Sequence, residues 1–166
     1  FAVTHGAKNC FESYERMLAD PNLDAVIIAT ADAFHVPAAL QALAAGKHVL
    51  CEKPLGVTLE EVEALGRAVV ESGLKLQVGH MKRFDPGLQS AREFIDSEMG
   101  DMLAFKAWYC DSTHRYAMTD AVQPLIVSST ASRMPDHDPK ADLQQYYMLA
   151  HGCHLVDTAR YLCGEI

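Results

Sequence analysis

Between residues 25 and 79 the chain alternates short apolar runs with amphipathic stretches, and few folds accommodate that rhythm. Ala25-Val26-Ile27-Ile28-Ala29-Thr30 is a continuous, β-branched apolar run, the pattern of a strand buried on both faces of a parallel sheet. Val36 to Ala45 is rich in Ala and Leu and predicts a helix, with Pro37 tolerated in its first turn and Gly46 closing its end. His48 to Cys51 reads as a second strand. Thr58 then opens another helix with a capping box: Glu61 sits three residues on, and Leu59, Val62, Leu65 and Val69 follow in helical period up to Gly73. Lys75 to Gly79 reads as a third strand. Strand, helix, strand, helix, strand with short links predicts parallel neighbours joined by right-handed crossovers, and so an α/β fold holding part of a doubly wound parallel sheet. A short amphipathic helix from Ser13 to about Ala19 precedes it, stopped by Asp20-Pro21.

After Gly79 the rhythm changes. Asp85-Pro86 starts a helix that is expected to carry Leu88, Ala91, Phe94 and Ile95 inward and to end near Gly100. Met102 to Cys110 reads as a strand. From Asp111 to Gln145 the chain is polar and without clear period, although Pro124 to Ser128 suits a strand; His154 to Leu162 reads as a helix closed by Gly164. These changes place a domain boundary near His80, dividing the chain into 1–79 and 80–166.

Charge narrows the function. The 166 residues carry 14 Lys and Arg against 22 Asp and Glu, a formal net charge of -8, which is the wrong sign for a nucleic-acid face. No apolar run approaches the roughly 20 residues of a membrane span. The N-terminal residues lack the pattern of a signal peptide. Five cysteines, odd in number, scattered and without a C-x-x-C pair, argue against a disulfide framework or zinc ribbon and for reduced thiols in a cytoplasmic protein. Opening on Phe1 and stopping at Ile166 just after a helix end, the chain reads as an internal piece of a longer protein.

Ligands of open parallel sheets bind beyond the carboxyl ends of the strands. Those ends are Thr30-Ala31-Asp32, Cys51-Glu52-Lys53-Pro54 and Gly79-His80-Met81. Lys53, one step beyond a buried strand and stiffened by Pro54, is the leading candidate, weighed against an ordinary solvated loop. Thr30 offers a hydroxyl to a ligand, whereas His35 by itself reads better as a residue satisfying backbone groups at a helix start. A second concentration of polar chemistry is His151-Gly152-Cys153-His154 followed by Asp157, at i, i+3 and i+6 from His151. Without H-E-x-x-H or a cysteine pair, it is a weak metal signal. G-x-G-x-x-G, G-x-x-x-x-G-K-[ST] and G-x-S-x-G are all absent from the sequence.

The run DAVIIAT-ADAFHVPAALQALAAGKHVLCEKPLGVTLEE resembles the glucose-fructose oxidoreductase/inositol dehydrogenase/rhizopine catabolism (Gfo/Idh/MocA) family, in which the strand end is followed by H…A…A-L-x-A-G-K-H-V-L-x-E-K-P. VGHMKRFDP resembles its V-G-F-x-x-R-F-x-P, and HGCHLVDTARYLCGE its D-x-G-x-H-x-x-D…L-x-G. The resemblance runs from about Phe11 onward and is most specific at Glu52-Lys53-Pro54.

It implies a Rossmann-type dinucleotide-binding domain, here incomplete (1–79), followed by the start of a substrate-binding and oligomerisation α/β domain with a mainly antiparallel sheet (80–166). It also implies NAD or NADP as cofactor, a carbinol of a sugar- or cyclitol-like polyol as substrate, and a homo-oligomer for the full-length protein. Carried over residue by residue, Lys53 and His154 take the catalytic positions. Thr30, His35, Glu52, Lys53 and Pro54 line the cofactor, and Lys53, His151 and His154 face the substrate; no metal is expected. Ala150 departs from the pattern, since many members carry an aspartate there, four residues before the histidine. A non-catalytic dinucleotide- or sugar-binding protein of the same fold is the alternative, and a metal-dependent hydrolase using His151, His154 and Asp157 a third reading. The glycine fingerprint that cradles the pyrophosphate belongs upstream of Phe1, so this 166-residue piece is expected to bind dinucleotide poorly by itself.

Overall fold

The computed structural model describes residues 4–110 and 141–165. They form two compact units, Phe1–Gly79 and His80–Ile166, each taken by itself below.

In the first unit a short helix, α1 (Tyr14–Leu18), is capped by Ser13, whose side chain accepts from the Arg16 amide. The strand β1 (Ala25–Ile28) follows, then one 3-10 turn over Asp32–Phe34 that leads into α2 (His35–Ala44). Next come β2 (His48–Cys51), α3 (Leu59–Ser72) and β3 (Leu76–Val78). The three strands are parallel in the order β1-β2-β3, as the alternation predicts. At Thr58 both halves of the capping box form, and Gly73 ends α3 in the left-handed conformation at φ 64°. That conformation costs a residue with a Cβ but not glycine.

Register explains where the core lies. Val26 pairs with Val49, which pairs with Leu76, and Ile28 pairs with Cys51, which pairs with Val78, so these residues share one face of the sheet. On it pack Val36, Ala39, Ala42 and Leu43 of α2, at helical spacing, and Leu65 of α3. Burying a side chain the size of Leu65 contributes about 1.5–3 kcal/mol. Tyr14 donates its hydroxyl to the Ala38 carbonyl at 2.8 Å and the buried Lys47 ammonium donates to the Asp20 carbonyl at 3.0 Å, tying α1 and its exit loop to this layer.

The opposite face departs from the expectation of a strand buried on both sides. Ile27 is 74% exposed and its neighbour Leu50 is 37% exposed. Both crossovers step the same way along the sheet, α2 and α3 pack into one core on one face, as right-handed crossovers require, and among the described residues nothing buries the other.

The second unit opens with a 3-10 turn over Met81–Phe84 and the helix α4 (Pro86–Ser97), whose cap Asp85 accepts from the Gly87 and Leu88 amides. A helical run then extends from α5 (Leu143–Tyr147) through one π-helical turn (Met148–Gly152) into α6 (Cys153–Cys163). Three expectations change here. Phe94 is 53% exposed rather than inward, because the face of α4 that meets α6 carries Arg92, which donates to the Tyr161 and Leu162 carbonyls at the end of α6. Met102 to Cys110 is not a strand, and no strand occurs among the described residues of this unit for it to pair with. The helical run begins at Leu143, inside the segment read as aperiodic. The strand expected at Pro124 to Ser128 lies outside the described residues.

Candidate active site

Ile28, Cys51 and Val78 occupy one row of the sheet, so the chain leaves all three strands side by side. The Glu52 amide donates to the Ile28 carbonyl at 2.9 Å and the Gly79 amide to the Cys51 carbonyl at 2.7 Å, which extends the ladder one step into the loops. Glu52-Lys53-Pro54 is the middle exit.

Each side chain there has a distinct setting. Thr30 is exposed, its hydroxyl 3.4 Å from the Ala31 carbonyl. Glu52 is exposed and accepts from the Lys53 amide at 3.2 Å. Lys53 is half-buried and joined to the buried Pro54 by a cis peptide bond. His35, expected to line a cofactor, is 1% exposed and turns both ring nitrogens to main-chain oxygens: Nδ1 lies 2.7 Å from the Pro54 carbonyl and Nε2 3.1 Å from that of Thr30. The structure thus brings Thr30, His35 and Pro54 together directly, with Glu52 and Lys53 on the turn that they brace.

Of the two glycines beside this turn, Gly56 is the one its shape requires. A Cβ on Gly56 would lie 2.9 Å from a methyl of Val36 and 2.9 Å from one of Val62, closer than side chains pack. At Gly79 it would meet the Cys51 carbonyl and the Glu52 carboxylate, each at 3.4 Å. The Cys51 thiol beneath the turn is 0% exposed, and its burial, with the Glu52 charge beside it, pushes its pKa up to about 11. It is a core side chain, held neutral and inert at ordinary pH.

In the second unit His154 is buried on α6, and His151, half-buried, belongs to the π turn before it. The Tyr109 ring stacks on both imidazoles, with centroids 5.5 Å from His151 and 6.3 Å from His154. The Tyr147 ring stacks on His151 at 5.8 Å. Interruptions of this kind in an α-helix occur often at functional sites. Tyr109 escapes a reading of the sequence because it lies in a segment that suits a strand and carries no motif.

Asp157 is 7% exposed and bound by Arg83, whose Nη2 lies 2.6 Å from Oδ1 and whose Nε lies 3.0 Å from each oxygen; His80 Nδ1 is 3.8 Å from Oδ2. Both carboxylate oxygens are thus committed to a guanidinium, which leaves the reading of Asp157 as a metal ligand without support. Among the described residues no group of three His, Cys, Asp or Glu is placed to hold a metal.

The first unit presents the edge of a parallel sheet at which ligands of open α/β folds bind. Its three strand ends leave the sheet side by side, and a cation stands at the middle exit.

Comparison with known proteins agrees. Residues 1–80 match the profile described as "Oxidoreductase family, NAD-binding Rossmann fold" (Gfo/Idh/MocA). The scyllo-inositol 2-dehydrogenase (NAD(+)) of Bacillus subtilis is 38% identical over 107 residues, which are 64% of this chain and 31% of that protein. The D-xylose 1-dehydrogenase (NADP(+)) 2 of Haloferax volcanii is 30% identical over 165 residues, 96% of this chain and 44% of that one. Among solved structures, scyllo-inositol dehydrogenase from Lactobacillus casei with bound NAD(H) and scyllo-inositol superposes with TM-score 0.69 at 27% identity, covering 93% of this chain and 41% of that one. This chain therefore spans less than half the length of the relatives it matches. Its parallel-sheet region, residues 1–80, belongs to the NAD-binding Rossmann fold of the Gfo/Idh/MocA oxidoreductase family.

Proposed function

We propose that the protein containing this chain is a nicotinamide-dependent oxidoreductase that acts on a carbinol of a sugar- or cyclitol-like polyol. The observation that carries the reading is Lys53, held at the middle of three adjacent strand exits in the region that matches the family. Residues 1–79 are read as part of the dinucleotide-binding domain and 80–166 as the start of a substrate-binding and oligomerisation domain of a homo-oligomeric, cytoplasmic protein.

NAD or NADP, when bound, supplies the hydride acceptor or donor. The chain's residues do the rest. Thr30, Glu52 and Pro54 line the ledge that receives the cofactor, with His35 behind them. Lys53 offers an ammonium to the substrate oxygen and stabilises the negative charge that grows there as hydride leaves carbon. His154 takes the hydroxyl proton, a task for which imidazole is suited near neutral pH. His151 contributes to substrate binding.

A second reading, a non-catalytic dinucleotide- or sugar-binding protein, is favoured by Ala150, which can neither accept a proton nor orient a hydroxyl. Nicotinamide absorbance, followed with the intact protein, NAD or NADP and a panel of inositols, aldoses and anhydrosugars, separates the two. Turnover with a polyol supports the oxidoreductase; dinucleotide binding without turnover on any of them supports the binding protein.

A further inference from the structure

We propose that His35 is a positioning residue: it locks the loop after β1 to the Glu52-Lys53-Pro54 turn, so that the two strand exits move as one unit. This deepens the oxidoreductase reading and rests on it for its kinetic consequences.

His35 begins α2 and is 1% exposed, so it has no face left to offer a ligand. Its two nitrogens reach carbonyls that lie 19 and 5 residues away in sequence, on loops that leave different strands. Both carbonyls belong to the main chain, so no substitution at Thr30 or Pro54 side chains replaces what the imidazole does. The Pro54 contact is the shorter, 2.7 Å against 3.1 Å. A ring with one proton donates to one carbonyl, and donating to both takes the imidazolium form. The neighbouring packing fits the same purpose. Val36, next to His35, is the residue against which Gly56 closes, so the turn bearing Lys53 rests on the first turn of α2 at two points. Freed from His35, the turn keeps the ladder bond from Glu52 to Ile28 but loses its brace at Pro54, immediately after Lys53.

The two nitrogens are separable by substitution. In His35→Asn the amide nitrogen replaces Nδ1 and keeps a donor for Pro54; in His35→Gln it replaces Nε2 and keeps one for Thr30. The first measurement is hydrogen–deuterium exchange of the intact protein, which needs no turnover. We expect His35→Ala to speed exchange in both 29–34 and 52–57 while Val26–Ile28 and Val49–Cys51 stay protected. His35→Asn should loosen mainly 29–34, and His35→Gln mainly 52–57. Unchanged loops in all three variants, or equal acceleration of loops and strands, overturns the proposal.

The second measurement is kinetic. His35→Gln should lower kcat by about tenfold or more, since displacing a reacting group by a fraction of an ångström is costly. His35→Asn should keep kcat within about threefold and raise the dinucleotide KM instead. Equal losses in the two variants overturn the positioning role. If the wild-type protein turns over no polyol, the oxidoreductase reading fails, and the exchange measurement alone decides whether His35 couples the loops.

Discussion

Arg83 grips both carboxylate oxygens of Asp157, with Nη2 2.6 Å from Oδ1 and Nε 3.0 Å from each, and its guanidinium lies over the Tyr161 ring at 5.5 Å. The pair joins the start of the second unit to α6, one turn beyond His154. Hydrogen bonding to Asp157 raises the Arg83 pKa, so the guanidinium stays charged across the whole working pH range. Asp157 is buried and Arg83 partly exposed, so removing the cation strands a buried carboxylate. Arg83→Met should destabilise the second unit by about 1–3 kcal/mol, measured by urea unfolding. Arg83→Lys should recover only part, because an ammonium cannot make the two-pronged contact. Wild-type stability in Arg83→Met would show that the pair contributes nothing net.

Two glycines in the first unit should respond in opposite directions to the same change. Gly56→Ala drives a methyl to 2.9 Å from Val36 and Val62 and should cost about 1–3 kcal/mol. Gly66 lies inside α3, where an added Cβ would meet nothing within 4 Å, and Gly66→Ala should stabilise by about 0.5–1 kcal/mol. Thermal denaturation of both variants checks the pair of signs.

Cys51 makes the first unit sensitive to alkali. Its pKa rises from 9.0 unfolded to about 11 folded, so the native state holds the proton more tightly. The stabilisation this gives is complete below pH 9.0 and disappears as pH climbs through about 11. The Tyr14 hydroxyl, raised by burial and then by Cys51, acts in the same direction. Unfolding free energy should therefore fall between these pH values, and Cys51→Ala should flatten the slope. At about pH 8, iodoacetamide should label the exposed Cys10 and Cys110 and spare Cys51.

How much of this is legible in the sequence follows from how far apart the interacting residues are. Thr58 and Glu61 are three residues apart, so their capping box is readable, as are Gly73 and the parallel strand order. Burial of one sheet face alone is not readable, because Ile27 looks the same in sequence whether or not a second layer covers it. The joining of His35 to Pro54 depends on strand register across 19 residues, which periodicity does not encode. The π turn at Met148–Gly152 and the stacking of Tyr109 on His151 and His154 arise from packing within the second unit, and no local pattern announces either. The family resemblance reaches the fold because its specific text, Glu52-Lys53-Pro54 after a buried strand, lies in the matched region.

The central claim is that Lys53 serves hydride transfer at the sheet's carboxyl edge. Its most direct test compares the wild-type intact protein with Lys53→Met in single-turnover reactions followed by nicotinamide absorbance, using the polyol that the substrate panel identifies. The account predicts a loss of at least about 100-fold in the transfer rate at saturating dinucleotide. Transfer at the wild-type rate in Lys53→Met would contradict it.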